Sequence, residues 1–552
     1  MRFRLPLTMA LILLAGASRL PSAQAAPKAA LQKRWFFIWR NMDDPKEVDR
    51  MIARFPRAQA DGYNGVVFSA NIPAAKAPEL VGMAKKYGLD LVPIVMGGNP
   101  DRNYVEGVLS KDALFVAKSG TATFQPDNPT KALNTDFESA NGDHFNNWSF
   151  QDDIGVTTFA DHAVTHGGKT SLRMQDIDKN PARHARICQP IKLQPHRQYR
   201  LSFWVKTENL SPADPEIKIL NSDASASISF QTFHVEATQD WKHYDLAFNS
   251  LQYSDALLYL GSWYGKAGKC WWDDLEIQEV GLVNALRRSG CPVTVRGENG
   301  TVYEEGRDFA KIVDPNLHPW IAYHTPPFIQ LTAKTRIKEG ERLRVSYYHP
   351  ILVYEDRIDY CLSEPTIFEN WRSEVKKVND LLHPAAFLMS HDEIRVANQC
   401  ALCQSKNMTP GELLAWNVRK AAQIIRDIRP DAGIWVWSDM FDPTHNAKNQ
   451  FFAVNGSLKD SWKGLAEDVG VMNWNGDSQG KNSQFFADLG LKQMLSGYYD
   501  GDDSGAGIQG WLTGVKGIPG IAGAMYTTWQ DKYDAMDTWA QKAWGGKSAS
   551  GP

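Results

Sequence analysis

The chain is poor in cysteine, has no long apolar run after its N-terminus, and carries no large excess of either charge. Six cysteines in 552 residues are too few for a disulfide-stabilised scaffold. Beyond the N-terminal segment, no stretch approaches the roughly 18 consecutive apolar residues of a membrane-spanning helix. A formal net charge of -3 gives no reason to expect nucleic acid or an anionic membrane as a partner. We therefore expect no membrane span and no nucleic-acid binding.

The cysteine spacing argues against a zinc site. Cys400 and Cys403 form a lone C-x-x-C without a second cysteine or histidine pair at metal-like spacing, which favours a local disulfide. Cys188 and Cys270 fall in one β-rich region and could also pair. No His-x-x-x-His pair accompanies the acidic residues described below, which disfavours a metal-dependent deacetylase.

The N-terminus has the pattern of a secretory signal. Arg2 and Arg4 precede an apolar stretch at 5–17, and Ala23-Gln24-Ala25 has the small-residue pattern of a cleavage site. The sequence predicts a signal peptide at 1–25 and a secreted or periplasmic protein.

Aromatic residues are abundant, with 19 Trp, 18 Tyr and 24 Phe. Their faces suit the C–H surfaces of sugar rings, although many must simply fill a large core. The composition therefore makes an oligosaccharide or polysaccharide a reasonable partner.

Strand and helix patterns alternate at both ends of the chain. Apolar strands are predicted at 35–39, 65–68 and 89–96, and again at 386–393, 433–439, 469–474, 493–499 and 522–529. Helices are predicted between them; in one of these, Thr409 and Glu412 form a capping box. Eight such strands predict an α/β fold, a (β/α)8 TIM barrel built from 26–133 and 355–545.

The intervening segment has short alternating strands and no helical periodicity. This pattern predicts an inserted all-β sandwich at 134–280 and a further β-rich insertion at 281–354. The segments 134–138, 199–206 and 270–276 resemble β-jelly-roll carbohydrate-binding modules. The resemblance implies that Glu138 and Asp274 could hold a structural calcium ion; we expect no other cofactor.

The fourth barrel strand ends in two adjacent acids, Asp392 and Glu393. The carboxyl ends of the strands form the active site of such a barrel. Two carboxyl groups there can divide the acid and stabilising roles that hydrolysis of a glycosidic bond requires. A helix-capping Asp beside a solvated Glu is the alternative.

The later strands also end in aromatic and acidic residues. Sugar hydroxyls would provide hydrogen-bonding partners for carboxylates gathered at one end of a barrel. The residues at these strand ends are Trp437, Asp439, Trp474, Tyr498, Asp500, Trp529 and Asp531.

The barrel pattern resembles the family 20 glycoside hydrolases, the β-N-acetylhexosaminidases. The resemblance implies that Glu393 is the general acid and that Asp392 stays ionised and orients the substrate acetamido group. It further implies an acetamido pocket formed by Trp437, Trp474, Trp529 and Tyr498. Asp500 belongs to the Tyr-x-Asp motif of the seventh strand, and Asp531 would bind ring hydroxyls. Arg40 is our choice for the arginine of the first strand, and His391 could bond one carboxylate. The family's Gly-Gly before the acid pair is Ser390-His391 here.

Two other functions remain open. A glycosidase acting on sugars without an N-acetyl group would need a protein nucleophile, for which Asp439 or Asp500 is the candidate. A barrel that has lost activity would make the chain a non-catalytic carbohydrate-binding protein.

Overall fold

A computed structural model describes residues 31–97, 102–127, 130, 132–321, 323–354 and 357–545. The predicted signal peptide at 1–25 lies outside these residues. In the part of the chain described, no helix is both long and apolar enough to cross a bilayer.

Eight parallel strands close into a barrel in the order in which they follow along the chain. Along the first strand Trp35 and Phe37 point into the barrel, whereas Phe36 and Ile38 pack outward against the helices. This alternation gives the barrel two apolar layers. The strands are Lys33–Ile38, Gly65–Ser69, Asp90–Val95, Ala386–Met389, Gly433–Trp437, Val469–Asn473, Gln493–Leu495 and Ile521–Tyr526.

Helices follow most of the barrel strands. The connection after the fifth strand is an exception, because it has only the 3-10 turns Asp439–Phe441 and Ser461–Gly464, so the strand-helix alternation is not strict. The predicted capping box is confirmed, with Thr409 and Glu412 each accepting a hydrogen bond from the other's backbone N–H. The α-helices are Pro45–Ala53, Phe55–Ala60, Ala77–Lys86, Pro365–Leu382, Ala401–Gln404, Pro410–Ile428, Gln479–Asp488, Ala506–Gly514 and Met536–Trp544.

Two five-stranded antiparallel sheets form a sandwich within the insertion. They enclose a separate apolar core that includes Phe203, Leu258 and Trp272. The first sheet has the order Gln239–Asn249, Gln198–Ser211, Ala267–Val280, Ser171–Gln175 and Thr158–Asp161. The second has the order Ser227–Thr232, Glu216–Asn221, Asp255–Trp263, His184–Lys192 and Phe150–Gln151.

A third, six-stranded sheet changes one predicted boundary. Val108–Lys118 and Thr121–Phe124 fall in the segment assigned to the barrel, 26–133, but the first of them pairs antiparallel with Arg342–His349. Residues 108–124 therefore pack with 281–354, because their alternating pattern lets one face join that sheet's core. The order is Val302–Tyr303, Thr294–Gly297, Arg342–His349, Val108–Lys118, Thr121–Phe124 and Ile329–Gln330.

Buried polar contacts join the sandwich to this six-stranded sheet. The ring of His349 lies 3.0 Å from Gln198 Nε2 and 2.9 Å from Asn249 Nδ2. The hydroxyl of Tyr347 donates to Gln198 Oε1 at 2.7 Å. Unpaired polar groups are costly when buried, so the two β units are held together by more than their connecting chain.

The predicted disulfides are not present, since all six cysteines are free. Cys270 lies in the core between the two sandwich sheets. Cys188 follows the inward-facing Ile187 along its strand and therefore faces the other side of the second sheet. The two thiols cannot meet, because they belong to different sheets and only one points into the core.

Candidate active site

The fourth barrel strand ends at Met389, before the acid pair. Glu393 then adopts a left-handed conformation with φ of 51°, uncommon for a residue with a side chain. The regular strand alternation is therefore broken, and both Asp392 and Glu393 line the same cavity. Strained backbone of this kind clusters at functional sites.

This cavity has a volume of about 970 Å³ and lies at the carboxyl ends of the barrel strands. Seven of the eleven residues predicted for the site line it, whereas Arg40, Asp439, Asp500 and Asp531 do not. The seven are His391, Asp392, Glu393, Trp437, Trp474, Tyr498 and Trp529.

Asp392 lies in surroundings that disfavour its charged form. Burial raises its pKa, and the neighbouring charge of Glu393 raises it further. The hydroxyl of Ser390 donates to Asp392 Oδ1 at 3.1 Å. Both effects act against the ionised state that the family resemblance implies for Asp392, because burial and a nearby like charge penalise the charged form.

Asp439 lies directly behind the acid pair and is fully buried. Its Oδ2 accepts hydrogen bonds from the Glu393 backbone N–H at 2.8 Å and from Asn446 Nδ2 at 2.9 Å, while Trp474 Nε1 lies 3.3 Å from Oδ1. Burial, followed by the charge of Asp392, raises the pKa of Asp439 to about 7. Asp439 therefore positions the acid pair from behind the cavity wall.

Glu393 is held by two guanidinium groups. Arg395 Nη2 is 2.9 Å from Glu393 Oε1, and Arg357 pairs with the other carboxylate oxygen. Arg395 is itself buried, with a side chain only 7% exposed. The negative charge of Glu393 is thus compensated by two cations.

The predicted aromatic residues form walls of the cavity. Trp437 meets Phe37 edge-on at 5.9 Å, and Trp529 lies 5.3 Å from Phe37. Trp529 also stacks on Tyr498 with ring centroids 5.5 Å apart, and both are partly exposed at the rim. The Tyr498 hydroxyl accepts a hydrogen bond from Gln530 Nε2 at 3.0 Å. Apolar ring faces are therefore available beside the two acids.

His391 contributes to the wall but does not bond either carboxylate. Its Nε2 atom is 3.0 Å from Asn417 Oδ1 on the helix Pro410–Ile428. Burial lowers the pKa of His391 to about 4, so the ring is neutral at neutral pH. The hydrogen bond to Asn417 takes the place of the expected one to an acid, because the His391 side chain points toward the helices that surround the barrel.

Three predicted binding residues are engaged elsewhere. Arg40 pairs with Asp531 at 3.0 Å, and Arg54 approaches the same carboxylate at 3.3 Å. Asp500 accepts hydrogen bonds from the backbone N–H groups of Trp529 at 2.8 Å and Gln530 at 3.3 Å. Asp500 thus shapes the loop that carries Trp529, and the Arg40–Asp531 pair lies outside the cavity lining.

Several lining residues were not predicted. Trp39, which is 52% exposed, follows the first strand, and Trp320 comes from the β-rich insertion. Arg357, Asp359 and Tyr360 lie on the segment that returns from the insertion to the barrel. Trp39 could have been found from its position at a strand end, but no local pattern signals the others.

The predicted calcium ligands have hydrogen-bonding roles instead. Glu138 Oε1 accepts from the backbone N–H groups of Lys169 at 2.7 Å and Thr170 at 2.8 Å. Asp274 Oδ2 lies 2.6 Å from His166 Nδ1. Calcium binding by Glu138 and Asp274 stays a prediction, since a carboxylate that accepts a hydrogen bond keeps further lone pairs for an ion.

Comparison with known proteins identifies one part of the chain. Residues 131–266 match the family model of a carbohydrate binding domain, CBM_4_9. The sandwich is thus a carbohydrate-binding module, and a saccharide is the ligand it implies. No curated protein sequence matches the chain.

Solved structures of carbohydrate-binding modules also match part of the chain. One, described as a CBM4 structure, is 19% identical and covers 27% of this chain and 100% of its own, with a TM-score of 0.21. The CBM22-1 xylan-binding domain from Paenibacillus barcinonensis Xyn10C is 18% identical over 30% of this chain and 97% of its own, with a TM-score of 0.20. A module titled as specific for non-crystalline cellulose, CBM28, is 12% identical over 27% of this chain and 93% of its own, with a TM-score of 0.20.

Proposed function

We propose that the protein is a secreted glycoside hydrolase with a (β/α)8-type catalytic barrel and an inserted carbohydrate-binding module. The observation that carries this proposal is the cavity at the carboxyl ends of the barrel strands. It places two carboxyl groups, Asp392 and Glu393, side by side under aromatic walls. General acid–base cleavage of a glycosidic bond requires two such groups.

The electrostatics support a division of labour opposite to the one that the family resemblance implies. Asp392, whose pKa is raised by burial, is the proton donor to the glycosidic oxygen. Glu393, held in place by Arg357 and Arg395, is the carboxylate that accepts a hydrogen bond from the acetamido N–H and orients this group. Once the leaving group has departed, Asp392 is the base that takes a proton from the attacking water.

The surroundings of the acids favour an N-acetylhexosamine substrate. Trp437, Trp474 and Trp529 supply apolar surface for an acetamido methyl group. In substrate-assisted hydrolysis the acetamido oxygen attacks the anomeric carbon, and water then opens the ring that forms, with overall retention. The alternative needs Asp439 or Asp500 as nucleophile, but Asp439 lies behind the wall and Asp500 is bonded to the loop that follows the eighth strand.

The module offers a second surface for saccharide. Phe150, Cys188, Tyr259, Lys218 and Phe230 are register neighbours across its second sheet, so their side chains share one face. Phe150 is 39% exposed at one end of this row. We propose that this face, the aromatic row, holds a polysaccharide near the barrel cavity.

The proposal is tested by screening N-acetylhexosaminides and non-acetylated glycosides, both as activated aryl glycosides and as natural oligosaccharides. We expect turnover of N-acetylhexosaminides and its loss in the Asp392→Asn, Glu393→Gln double variant. A thiazoline mimic of the cyclised intermediate should inhibit strongly, because species resembling the transition state bind far more tightly than substrate.

The matched control is Asp503→Asn, an exposed carboxylate after the seventh strand, which should keep full activity. Saccharide binding without turnover of any glycoside would identify a non-catalytic carbohydrate-binding protein. Turnover of a sugar with a free 2-hydroxyl and no thiazoline inhibition would instead indicate a protein nucleophile.

A further inference from the structure

Four buried ligand groups converge outside the cavity. Ligand atoms of Glu106, Cys361, Cys400 and Cys403 all lie within 4.8 Å of one another. Cys361 Sγ is 3.5 Å from Cys400 Sγ and 3.6 Å from Cys403 Sγ, and Cys403 Sγ is 3.7 Å from Glu106 Oε2. We propose that these four groups bind one Zn²⁺ ion in a structural site, independently of the glycosidase proposal.

The distances between the sulfur atoms match a metal site better than a disulfide. Zinc binds thiolate at about 2.3 Å, so two sulfurs of one tetrahedron are separated by about 3.8 Å. A disulfide brings its sulfurs to about 2.0 Å. The separations of 3.5 and 3.6 Å are close to the tetrahedral edge. Three thiols also meet here, and any single disulfide would leave the third without a role.

Glu106 is oriented as a ligand. Its Oε1 atom accepts hydrogen bonds from the backbone N–H groups of Gln399 at 2.7 Å and Cys400 at 2.8 Å. These bonds turn Oε2 toward Cys403 Sγ. The residue is only 2% exposed, and a buried carboxylate requires a compensating positive charge. Groups that hold a metal ligand in place in this way are typical of protein metal sites.

One protein cation adjoins the cluster without completing it. Arg288 is close enough for its charge to interact with the cluster residues Cys361, Cys400 and Glu106 and with the neighbouring Cys291, and its side chain is 4% exposed. Its guanidinium donates to the Val105 backbone oxygen at 3.0 Å and lies 3.5 Å from Glu364. Three thiolates and a carboxylate carry four negative charges, so a divalent ion plus Arg288 would offset most of them.

The ligand chemistry selects zinc. Soft thiolates disfavour calcium and magnesium, which prefer oxygen ligands. An iron–sulfur cluster is held by four cysteines, whereas three converge in the part of the chain described. Four protein ligands fill a tetrahedral shell and leave no position for substrate, which is the arrangement of a structural site.

The site would join three separate segments around the catalytic loop. Glu106 lies where the chain leaves the barrel for the insertion, Cys361 lies where it returns, and Cys400 and Cys403 follow the acid pair. The first two segments already pair, because the Glu106 backbone N–H donates to the Asp359 carbonyl oxygen at 2.8 Å. A zinc ion would therefore hold the loop after Glu393 against the two segments that connect the barrel to the insertion.

The test is the metal and thiol content of the full chain purified without added reductant or chelator. We expect about one zinc per chain by mass spectrometry. After denaturation with a chelator, all six thiols should react with Ellman's reagent, whereas a disulfide would leave four. Removing zinc should lower the unfolding temperature, and adding zinc back should restore it. Cobalt should give the intense visible absorption of a tetrahedral thiolate site.

Variants separate the proposed ligands from the other cysteines. Glu106→Gln and Cys403→Ser should lose zinc, whereas Cys188→Ser and Cys270→Ser, both at buried cysteines of the sandwich, should keep it. Because a ligand variant could fail to fold, the metal content of the unchanged chain decides first. Absence of zinc with no uptake on reconstitution would overturn the proposal, as would zinc loss in Cys291→Ser with retention in Glu106→Gln.

Discussion

The barrel cavity and the aromatic row of the module combine charged and aromatic residues in opposite ways. At the cavity, aromatic walls adjoin carboxyl groups, and the pKa values of Asp392 in its lining and of Asp439 behind its wall rise. On the module, Lys218 lies 4.3 Å from the ring of Phe230, and Arg186 lies 5.4 Å from the ring of Phe150. Both cations lie over aromatic rings that belong to one face of a sheet.

The difference lies in the kind of group that is buried. Burial penalises charge and lets a carboxyl group keep its proton near neutral pH, which is the property that acid catalysis uses. Burial also lowers the pKa of Lys218 in the aromatic row, but this row has no carboxyl group and offers ring area for stacking, which suits binding. The comparison therefore predicts that variants in the cavity alter chemistry and variants in the aromatic row alter affinity.

The largest expected effect separates the two acids of the cavity. Asp392→Asn should lower the rate on glycosides with poor leaving groups by about 10²–10⁴-fold, because these need a proton on the departing oxygen. Activated aryl glycosides should be affected much less. Glu393→Gln should slow both kinds of substrate, because orientation of the acetamido group does not depend on the leaving group. Steady-state kinetics across a leaving-group series provide the measurement.

The opposite result would be a rate loss in Glu393→Gln that is larger for poor leaving groups, with no such dependence in Asp392→Asn. Glu393 would then be the general acid, as the family 20 resemblance implies. The Asp503→Asn control should leave every rate in the series unchanged.

The next effect concerns stability, and its pH dependence follows from Asp439. Its pKa is raised from 3.8 to about 7 in the folded chain, so the folded state holds this proton more tightly than the unfolded state. The contribution of this proton to the free energy of unfolding is fully present below pH 3.8 and is lost as the pH rises toward 7. Asp439→Asn should therefore gain stability relative to the parent over this window, by at most roughly 1.4 kcal/mol for each step of one pH unit.

Denaturant unfolding at a series of pH values measures this difference directly. A difference between Asp439→Asn and the parent that stays constant from pH 4 to pH 7 would show that the carboxyl group does not hold its proton. Asp503→Asn should show no such trend, because that side chain is exposed.

The smallest effect is expected on the module. Phe150→Ala should weaken binding of a polysaccharide about tenfold, corresponding to the loss of roughly 1.4 kcal/mol of ring contact. Turnover of small aryl glycosides should not change. Phe328→Ala removes a ring that is 57% exposed outside the module and serves as the matched control. Equal losses in both variants, measured by calorimetry, would remove the aromatic row from binding.

Much of the architecture could be predicted from the sequence because its signals are local. Eight apolar runs bounded by turns correspond to the eight barrel strands, and the Thr409–Glu412 capping box begins a helix as expected. The acid pair was found because a strand end is visible in the pattern, and the module because its short strands alternate. These features depend on neighbours within a few residues.

Only the tertiary structure decided the electrostatics of the site and the meeting of distant segments. Arg357 and Arg395 reach Glu393, and burial raises the pKa of Asp439, through contacts that no periodicity records. Glu106 and Cys361 join the C-x-x-C only because the insertion leaves and re-enters the barrel at neighbouring points. The physical reason is that local patterns specify which face of an element is buried, whereas chain topology determines which side chains that face then meets.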